Sequence, residues 1–367
     1  MRIAIDARMI NASGIGRYLS NILKAFRSLE IEDVSLVGNR RQLSGHCLPS
    51  WNIVESDLSF YSPFSGLRFP IRGRKVDVMY FPHINVPFFL KPGKKNLVTI
   101  HDVFHLLPIS GIRGPAKIYM HLMYANALGM ADQIFCASRT TLDMVRDLFG
   151  EKIGKKAVVS YSPFDAEQFS AKAPRLDNTS AVSLLLQKHK AKKKLLFVGN
   201  VKPHKNLQGL VNAMQSNIFG DCVLFIVGKR DGFITGVQTA QQKLLESDRV
   251  EFTGYVSDAE LRHMYASADL LVFPSLYEGF GYPPLEALSL GLPVVASNLD
   301  VVREICGDTV SYFDPRSVES MRSTIRQCLD GPDMSKDPVH AEKVKQLLEK
   351  YSLEHTAIAQ VKRILGV

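Results

Sequence analysis

The feature that most constrains the fold is a regular alternation of short apolar runs with amphipathic helical patterns, which the chain repeats in two series. The runs of the first series are rich in Val, Ile and aromatic residues and are apolar on both faces, as strands of a buried parallel sheet are. Helical patterns lie between them. This alternation predicts a doubly wound α/β domain. The predicted strands span 2–7, 34–37, 76–81, 96–100, 133–137 and 157–161, and the helices span 15–29, 118–128 and 140–149.

The alternation pauses after residue 161 and then resumes. Ser257 and Glu260 form a capping box, which marks a helix start in the second series. We predict a first domain over 1–165, a connection over 166–192, a second domain over 193–350 and a C-terminal helix over 351–367 that crosses back to the first domain. Two such Rossmann-like domains are expected to face each other across a cleft, where ligands bind. The second series has predicted strands at 194–198, 223–227, 250–253, 270–273 and 293–296 and helices at 180–187, 207–214, 238–245, 258–266, 284–290, 318–329, 340–350 and 353–364.

Length and composition narrow the class of protein. A chain of 367 residues suits two domains, and 46% hydrophobic residues exclude disordered and collagen-like classes. No apolar run reaches the ~18 residues of a membrane span, and the N-terminus lacks the apolar core of a signal peptide. The five cysteines are scattered and predict free thiols. We therefore expect a cytoplasmic protein.

The positive charge is concentrated in the first half of the chain. Residues 1–165 hold 21 Lys and Arg against 13 Asp and Glu, whereas residues 166–367 hold 24 against 23. A basic domain suggests an anionic partner, namely a membrane surface, a lipid phosphate or a nucleic acid, although the charge could instead serve only solubility. No nucleic-acid recognition motif is present, so we expect no nucleic-acid partner.

Two loops of the first half carry candidate binding residues. Gly14 and Gly16 follow the first strand and open a helix, where backbone can approach an anion, or where they serve only a tight turn. The dinucleotide fingerprint is not met because Leu19 occupies its third glycine position. His101 follows the fourth strand, so it is either an active-site group or a buried structural histidine.

Two loops of the second half carry stronger signals. Residues 199–206 (GNVKPHKN) place Lys202 and Lys205 beside a helix start, which suits a diphosphate, unless these lysines are merely solvated. Residues 278–286 (EGFGYPPLE) place Glu278 in a loop and Glu286 in the helix that follows. Two carboxylates at this spacing suit two tasks on one ligand.

The E-x7-E pattern of Glu278 and Glu286 resembles that of the retaining glycosyltransferases of family 4, which have the GT-B fold. The segments IDARMINASGIGRY, HDV at 101–103, GNVKPHKN, PVVAS and GDTVSYFDP resemble the same family. The pattern as a whole is most similar to bacterial mannosyltransferases of surface polysaccharide assembly.

The resemblance implies a role for each matching residue. Glu286 would bind the ribose hydroxyls, Glu278 the sugar hydroxyls, and Lys205 the departing diphosphate. His101 would lie beside the donor sugar, and Gly16 would let the first domain close over the phosphates. The implied catalytic residues are His101, Lys205 and Glu278, and the implied donor-binding residues are Gly14, Gly16, Asn200, Lys202, Lys205, Phe280, Gly281, Tyr282, Leu285 and Glu286.

The chain departs from the family at two positions. Asn200 stands where many members have an arginine, so a second cation must come from Lys202, from elsewhere or be absent. Residues 162–165 (SPFD) stand where the family often has N-G-V-D.

The combined prediction is a retaining hexosyltransferase that uses GDP-mannose and a saccharide acceptor, expected to be lipid-linked at an anionic membrane surface. The alternatives are a UDP-sugar such as UDP-glucose as donor, or a nucleotide-sugar-binding module without turnover. No D-x-D occurs in the chain, so we expect neither a metal site nor a cofactor.

Overall fold

The computed structural model describes residues 1–58, 69–71, 75–88, 90–170, 180–228 and 249–367. The chain forms two units: the first comprises Met1–Asp165 and Lys350–Val367, and the second comprises Ala166–Glu349. The helix predicted at 238–245 lies outside the described residues. Across the described ranges, every helix is too short or too polar to cross a membrane.

The first unit is built on a parallel sheet that, within the described residues, has seven strands in the order β3-β2-β1-β4-β5-β6-β7. Because β1 pairs with both β2 and β4, the strand order reverses beside β1. The strands are β1 (Ile3–Asp6), β2 (Val34–Gly38), β3 (Asn52–Glu55), β4 (Val76–Phe81), β5 (Gly93–Ile100), β6 (Gln133–Cys136) and β7 (Ala157–Val159). The helices are α1 (Ser13–Ser28), α2 (Arg40–Leu43), α3 (Gly114–Met130), α4 (Arg139–Phe149) and α5 (Glu151–Gly154), with 3-10 turns at Ser44–His46, Phe104–Leu106 and Pro108–Ser110.

The second unit repeats this topology with a parallel sheet of six described strands in the order β10-β9-β8-β11-β12-β13. Here the order reverses between β8 and β11, which are hydrogen-bonded neighbours. The strands are β8 (Lys193–Val198), β9 (Cys222–Val227), β10 (Val250–Gly254), β11 (Leu270–Phe273), β12 (Val294–Ser297) and β13 (Ser311–Phe313). The helices are α6 (Ala166–Ser170), α7 (Ala181–Lys188), α8 (Leu207–Met214), α9 (Asp258–Ser267), α10 (Tyr282–Ser289), α11 (Asp300–Cys306), α12 (Val318–Asp330) and α13 (Pro338–Lys350), with 3-10 turns at Pro203–Lys205, Asn217–Phe219 and Met334–Lys336.

The doubly wound architecture predicted from the alternation is confirmed. Strand β9 is buried along its whole length, as its uninterrupted apolar run requires. Helix α1 buries Leu19, Ile22 and Phe26 on one face, spaced by three and four residues. The capping box of Ser257 and Glu260 starts α9 as predicted.

The C-terminal segment packs within the first unit. It begins with a π-helical turn, Leu353–Ile358, and continues as α14 (Ala359–Leu365), where a single helix was predicted. Gln360 is 1% exposed and joins a buried hydroxyl cluster: its Nε2 donates to Tyr80 Oη at 3.0 Å, and Tyr18 Oη donates to its Oε1 at 2.8 Å. Burial raises the pKa of Tyr18 to about 12, so this hydroxyl stays protonated and able to donate.

Replacing Gln360 tests how strongly this cluster holds the C-terminal segment. We expect Gln360→Ala to lower the free energy of unfolding by about 1–3 kcal/mol, because the buried hydroxyls of Tyr18 and Tyr80 lose a partner. Lys362→Ala on the same helix is the control, since Lys362 is exposed. Urea unfolding measures both variants. Equal midpoints for the two would contradict the structural role of the cluster.

Candidate functional site

The reversal of strand order in the second unit brings two loops together. Strands β8 and β11 are parallel neighbours, so the loops that follow them leave the same edge of the sheet. The Leu276 N–H after β11 donates to the His204 carbonyl after β8 at 2.7 Å, which ties the loops to each other. Open α/β sheets bind ligands at such a reversal.

An ion pair joins the two loops by their side chains. Lys205 Nζ donates to Glu278 Oε1 at 2.6 Å, and Ser275 Oγ donates to the same oxygen at 2.5 Å. The Lys205 and Glu278 side chains are 21% and 10% exposed, so the pair is only partly withdrawn from solvent. The ammonium group also lies 5.9 Å from the centre of the Phe273 ring. A cation is therefore fixed in place yet remains within reach of a ligand.

The turn after β8 holds the other predicted residues of this loop. Asn200 accepts a hydrogen bond from the Lys202 N–H, and Lys202 accepts one from the Lys205 N–H. Asn206 has φ +53°, and its side chain accepts from the Gly209 N–H and so caps α8. Lys202 is exposed, whereas Lys205 is half-buried beside Glu278. Of the two lysines, Lys205 is thus the one placed at the meeting point of the loops.

The loop after β11 ends in the start of α10. Gly281 has φ +113°, which favours glycine, and a Cβ there would lie 3.6 Å from the Phe273 ring. Phe280 is buried, and its ring meets Tyr282 edge-on at 5.4 Å. Pro283, the second residue of α10, has no N–H, which costs nothing in a first helical turn.

Glu286 lies in the second turn of α10 and is 1% exposed. Tyr265 Oη of α9 donates to its Oε2 at 2.6 Å, and Tyr265 is itself buried. The neighbouring Leu285 is fully buried in the core. The Glu286 carboxylate is therefore held by another helix. This contact is not predictable from local sequence, because Tyr265 is 21 residues away.

The two glycines of the first unit differ in their surroundings. Both lie within the first turn of α1. Gly14 is exposed with no atom within 4 Å of an added Cβ, whereas a Cβ on Gly16 would lie 2.2 Å from the Ile10 carbonyl oxygen. Gly16 is therefore required for the close packing of α1 against the segment before it, and Gly14 is not.

His101 follows β5 at the carboxyl edge of the first sheet. Its Nε2 lies 2.8 Å from the Pro82 carbonyl oxygen, which can only accept, so Nε2 carries the proton and Nδ1 is left as an acceptor. Its ring meets Tyr18 edge-on at 4.7 Å. Burial lowers the pKa of His101, although the bond to Pro82 and the charge of Asp102 oppose this.

A buried ionic cluster that the sequence did not predict lies at the same edge. Arg8 donates from Nε to Asp6 Oδ1 at 2.8 Å and from Nη2 to Oδ2 at 2.6 Å, and His83 Nε2 lies 3.5 Å from Oδ2. Burial would raise the pKa of Asp6, but the charges of Arg8 and His83 outweigh it and hold that pKa well below its usual range. Because His83 adjoins Pro82, the cluster fixes the segment whose carbonyl accepts the hydrogen bond from His101.

The family model of glycosyl transferases group 1 matches residues 185–354, which include Lys205, Glu278 and Glu286. The chain contains a glycosyl transferases group 1 domain. This match confirms the resemblance predicted from the motifs. His101, Gly14 and Gly16 lie outside the matched range, so the glycosyltransferase domain accounts for the site of the second unit alone.

Curated relatives and solved structures agree with this assignment. The chain is 26% identical to O-antigen chain mannosyltransferase RfbU of Salmonella typhimurium over 276 residues. This match covers 74% of this chain and 70% of RfbU. It is 35% identical to O-antigen chain mannosyltransferase B of Escherichia coli over 137 residues. This match covers only 36% of this chain and 36% of that relative. Anabaena HepE, solved in complex with UDP-glucose, has a TM-score of 0.75 at 15% identity, with 100% of this chain and 99% of HepE covered. This likeness shows the GT-B fold.

The lowered pKa of His101 predicts a pH dependence of stability. A histidine whose folded-state pKa lies below its ordinary value of about 6.5 stabilises the fold above that value, and this contribution is lost as the pH falls through the folded-state pKa. We expect wild type to lose more free energy of unfolding than His101→Gln between about pH 7 and about pH 5. Urea unfolding at both pH values checks this.

The exposed His355 in the same unit provides the control for this measurement. His355→Gln should keep the wild-type pH dependence. If His101→Gln keeps it as well, burial does not lower the His101 pKa as the structure indicates.

Proposed function

We propose that this protein is a retaining hexosyltransferase that moves mannose from GDP-mannose to a saccharide acceptor. The observation that carries the proposal is the Lys205–Glu278 ion pair together with buried Glu286 at the strand reversal of the glycosyltransferase domain. The mannose preference rests on the relatives RfbU and O-antigen chain mannosyltransferase B. A UDP-sugar is the second candidate donor, favoured by the HepE complex with UDP-glucose.

Glu286 is proposed to accept hydrogen bonds from the ribose hydroxyls of the nucleotide. A carboxylate holds two hydroxyls well because each bond is charge-assisted. The hydrogen bond from the Tyr265 hydroxyl orients the Glu286 carboxylate before the ligand binds, so less conformational entropy is lost on binding. Glu278 is proposed to meet the sugar hydroxyls, with the backbone of Phe280, Gly281 and Tyr282 beside it.

Lys205 is proposed to stabilise the departing diphosphate. Negative charge develops on the leaving group as the glycosidic bond stretches, and a fixed cation lowers the barrier most when it meets that charge. Its bond to Glu278 holds the ammonium in position before the donor binds. The acceptor hydroxyl would attack from the face that the diphosphate leaves, and a phosphate oxygen would take its proton. Anomeric configuration is then retained.

The acceptor is proposed to be lipid-linked, with the enzyme in the cytoplasm and peripheral at the inner face of the membrane. The names of the O-antigen relatives and the cationic first half support this. The predicted donor-side roles of Gly14, Gly16, His101, Asn200 and Lys202 remain predictions.

The nucleotide role of Glu286 predicts a selective loss of affinity. Glu286→Gln keeps an oxygen that can accept from Tyr265, so the fold should persist, but charge-assisted bonds become neutral ones. We expect nucleotide binding to weaken about tenfold, on the order of 1–2 kcal/mol. Calorimetry with GDP-mannose and with UDP-glucose measures the loss and identifies the better donor.

Glu319→Gln is the matched control, because Glu319 is an exposed glutamate of the same unit with a side chain 82% exposed. It should bind nucleotide as wild type does. Unchanged affinity in Glu286→Gln would remove the ribose assignment. Binding of the donor without turnover in the presence of saccharide acceptors would instead favour a binding module.

Activity without a divalent metal is the second expectation. The sequence contains no D-x-D, and within the described ranges no three His, Cys, Asp or Glu side chains gather as a metal site requires. Lys205 supplies a cation where a metal would otherwise neutralise the diphosphate. Transfer assays in excess EDTA should keep most of the rate. A complete loss of rate that magnesium restores would overturn this expectation.

A further inference from the structure

Helix α3 of the first unit exposes an apolar stripe. Ile118 is 64% exposed and Leu122 is 53% exposed, and exposed Ala125 and Gly129 continue the same face at helical spacing. Ile109 adds a further side chain, 37% exposed, in the turn before the helix. A surface helix ordinarily carries polar residues on this side.

The opposite face of α3 already supplies the packing against the sheet. Met120, Met123, Tyr124, Ala127 and Leu128 are buried in the core of the first unit. The outer stripe is therefore not needed for the fold, and its apolar character requires another explanation. Exposed apolar residues that form a contiguous set mark a surface that binds something.

The charge along this stretch of the sequence is of one sign. No Asp or Glu occurs between Asp102 and Asp132, in a chain where about one residue in ten is acidic. Arg113 and Lys117 are both exposed, and Lys117 adjoins Ile118 on the helix. Cations beside exposed apolar side chains, on a segment that itself carries no acidic residue, are complementary to a surface that is both apolar and anionic.

We propose that the outer face of α3, with Ile109, Arg113, Lys117, Ile118 and Leu122, is the surface through which the first unit docks on an anionic lipid membrane. The proposal rests on the proposed function only in that a lipid-linked acceptor requires such docking. A stable protein dimer buries roughly 800 Å² per partner over some 20–30 residues. One helix and one turn with three large apolar side chains suit shallow insertion between lipid headgroups better.

The basic first half of the chain has three clusters of cations that adjoin apolar stretches, at 68–75, 91–95 and 113–117, and the proposed surface includes only the last. Of these, Arg68, Arg72 and Arg74 lie outside the described residues. Lys75 and Lys94 lie at the starts of β4 and β5, the amino edge of the sheet, and Lys94 pairs with Asp77 at 2.8 Å. Helix α3 begins after β5, on the side of the carboxyl edge, and ends just before β6 at the amino edge. The Arg113–Lys117 cations thus belong to the edge that carries His101.

Co-sedimentation with vesicles tests the proposal. Full-length protein should sediment with vesicles of phosphatidylglycerol and phosphatidylcholine, less so in high salt, and not with phosphatidylcholine alone. Ile118→Ser/Leu122→Ser should lower the partition coefficient about tenfold or more, and Lys117→Glu should lower it further. Leu184→Ser is the matched control, since Leu184 of the second unit is also 53% exposed. Lys94→Ser is the control for a cation at the opposite edge.

Three results would overturn the proposal. The first is no sedimentation of wild type with anionic vesicles at low salt. The second is equal sedimentation of wild type and Ile118→Ser/Leu122→Ser. The third is a solution dimer that this double variant dissociates, which would make the stripe a contact between copies. Calorimetric binding of GDP-mannose is measured on the same samples, so that a failure of docking is distinguishable from a failure of the donor assignment.

Discussion

The parallel pairing of β8 with β11 is the constraint on which the candidate site depends. Two strands that are far apart in sequence lie side by side, and their following loops leave the sheet together. The hydrogen bond from the Leu276 N–H to the His204 carbonyl then fixes the distance between these loops. The Lys205–Glu278 pair can form because this backbone hydrogen bond places the two loops side by side. The chemistry of the glycosyltransferase domain therefore depends on sheet topology before it depends on any side chain.

The two units use the same topology with different electrostatics. In the first unit Arg8 and Asp6 form a pair with side chains 2% and 0% exposed. Such a pair is costly to break and cannot exchange partners with a ligand. In the second unit the side chains of Lys205 and Glu278 keep some contact with water, so this pair costs less to open, as the proposed role of Lys205 requires. Depth of burial thus separates a pair that fixes a loop from a pair suited to binding.

The sequence predicted the parts of the fold in which local pattern and burial agree. Strands β4 and β11 and helix α8 have the predicted limits, because uniformly apolar runs and helical periodicity leave no competing reading. Strand β3 was not predicted, because an edge strand that begins with Asn52 carries little apolar signal. Strand β13 and helix α11 were not predicted either, because they are only three and seven residues long. The residue types of the site were also predictable. Their partners were not, because Tyr265 and Ser275 reach the glutamates through tertiary packing.

The same distinction between sequence proximity and spatial proximity governs the basic half of the chain. Clusters of cations next to apolar residues look alike in the sequence, yet in the fold they lie at opposite edges of the parallel sheet. Lys94 at the amino edge is already paired with Asp77. Met120, Met123 and Tyr124 are core residues, whereas Ile118 and Leu122, on the same helix, are not. Helix α3 is therefore apolar on both faces, but the core of the first unit uses only one of them. The cations Arg113 and Lys117 beside the exposed face favour an anionic partner for it.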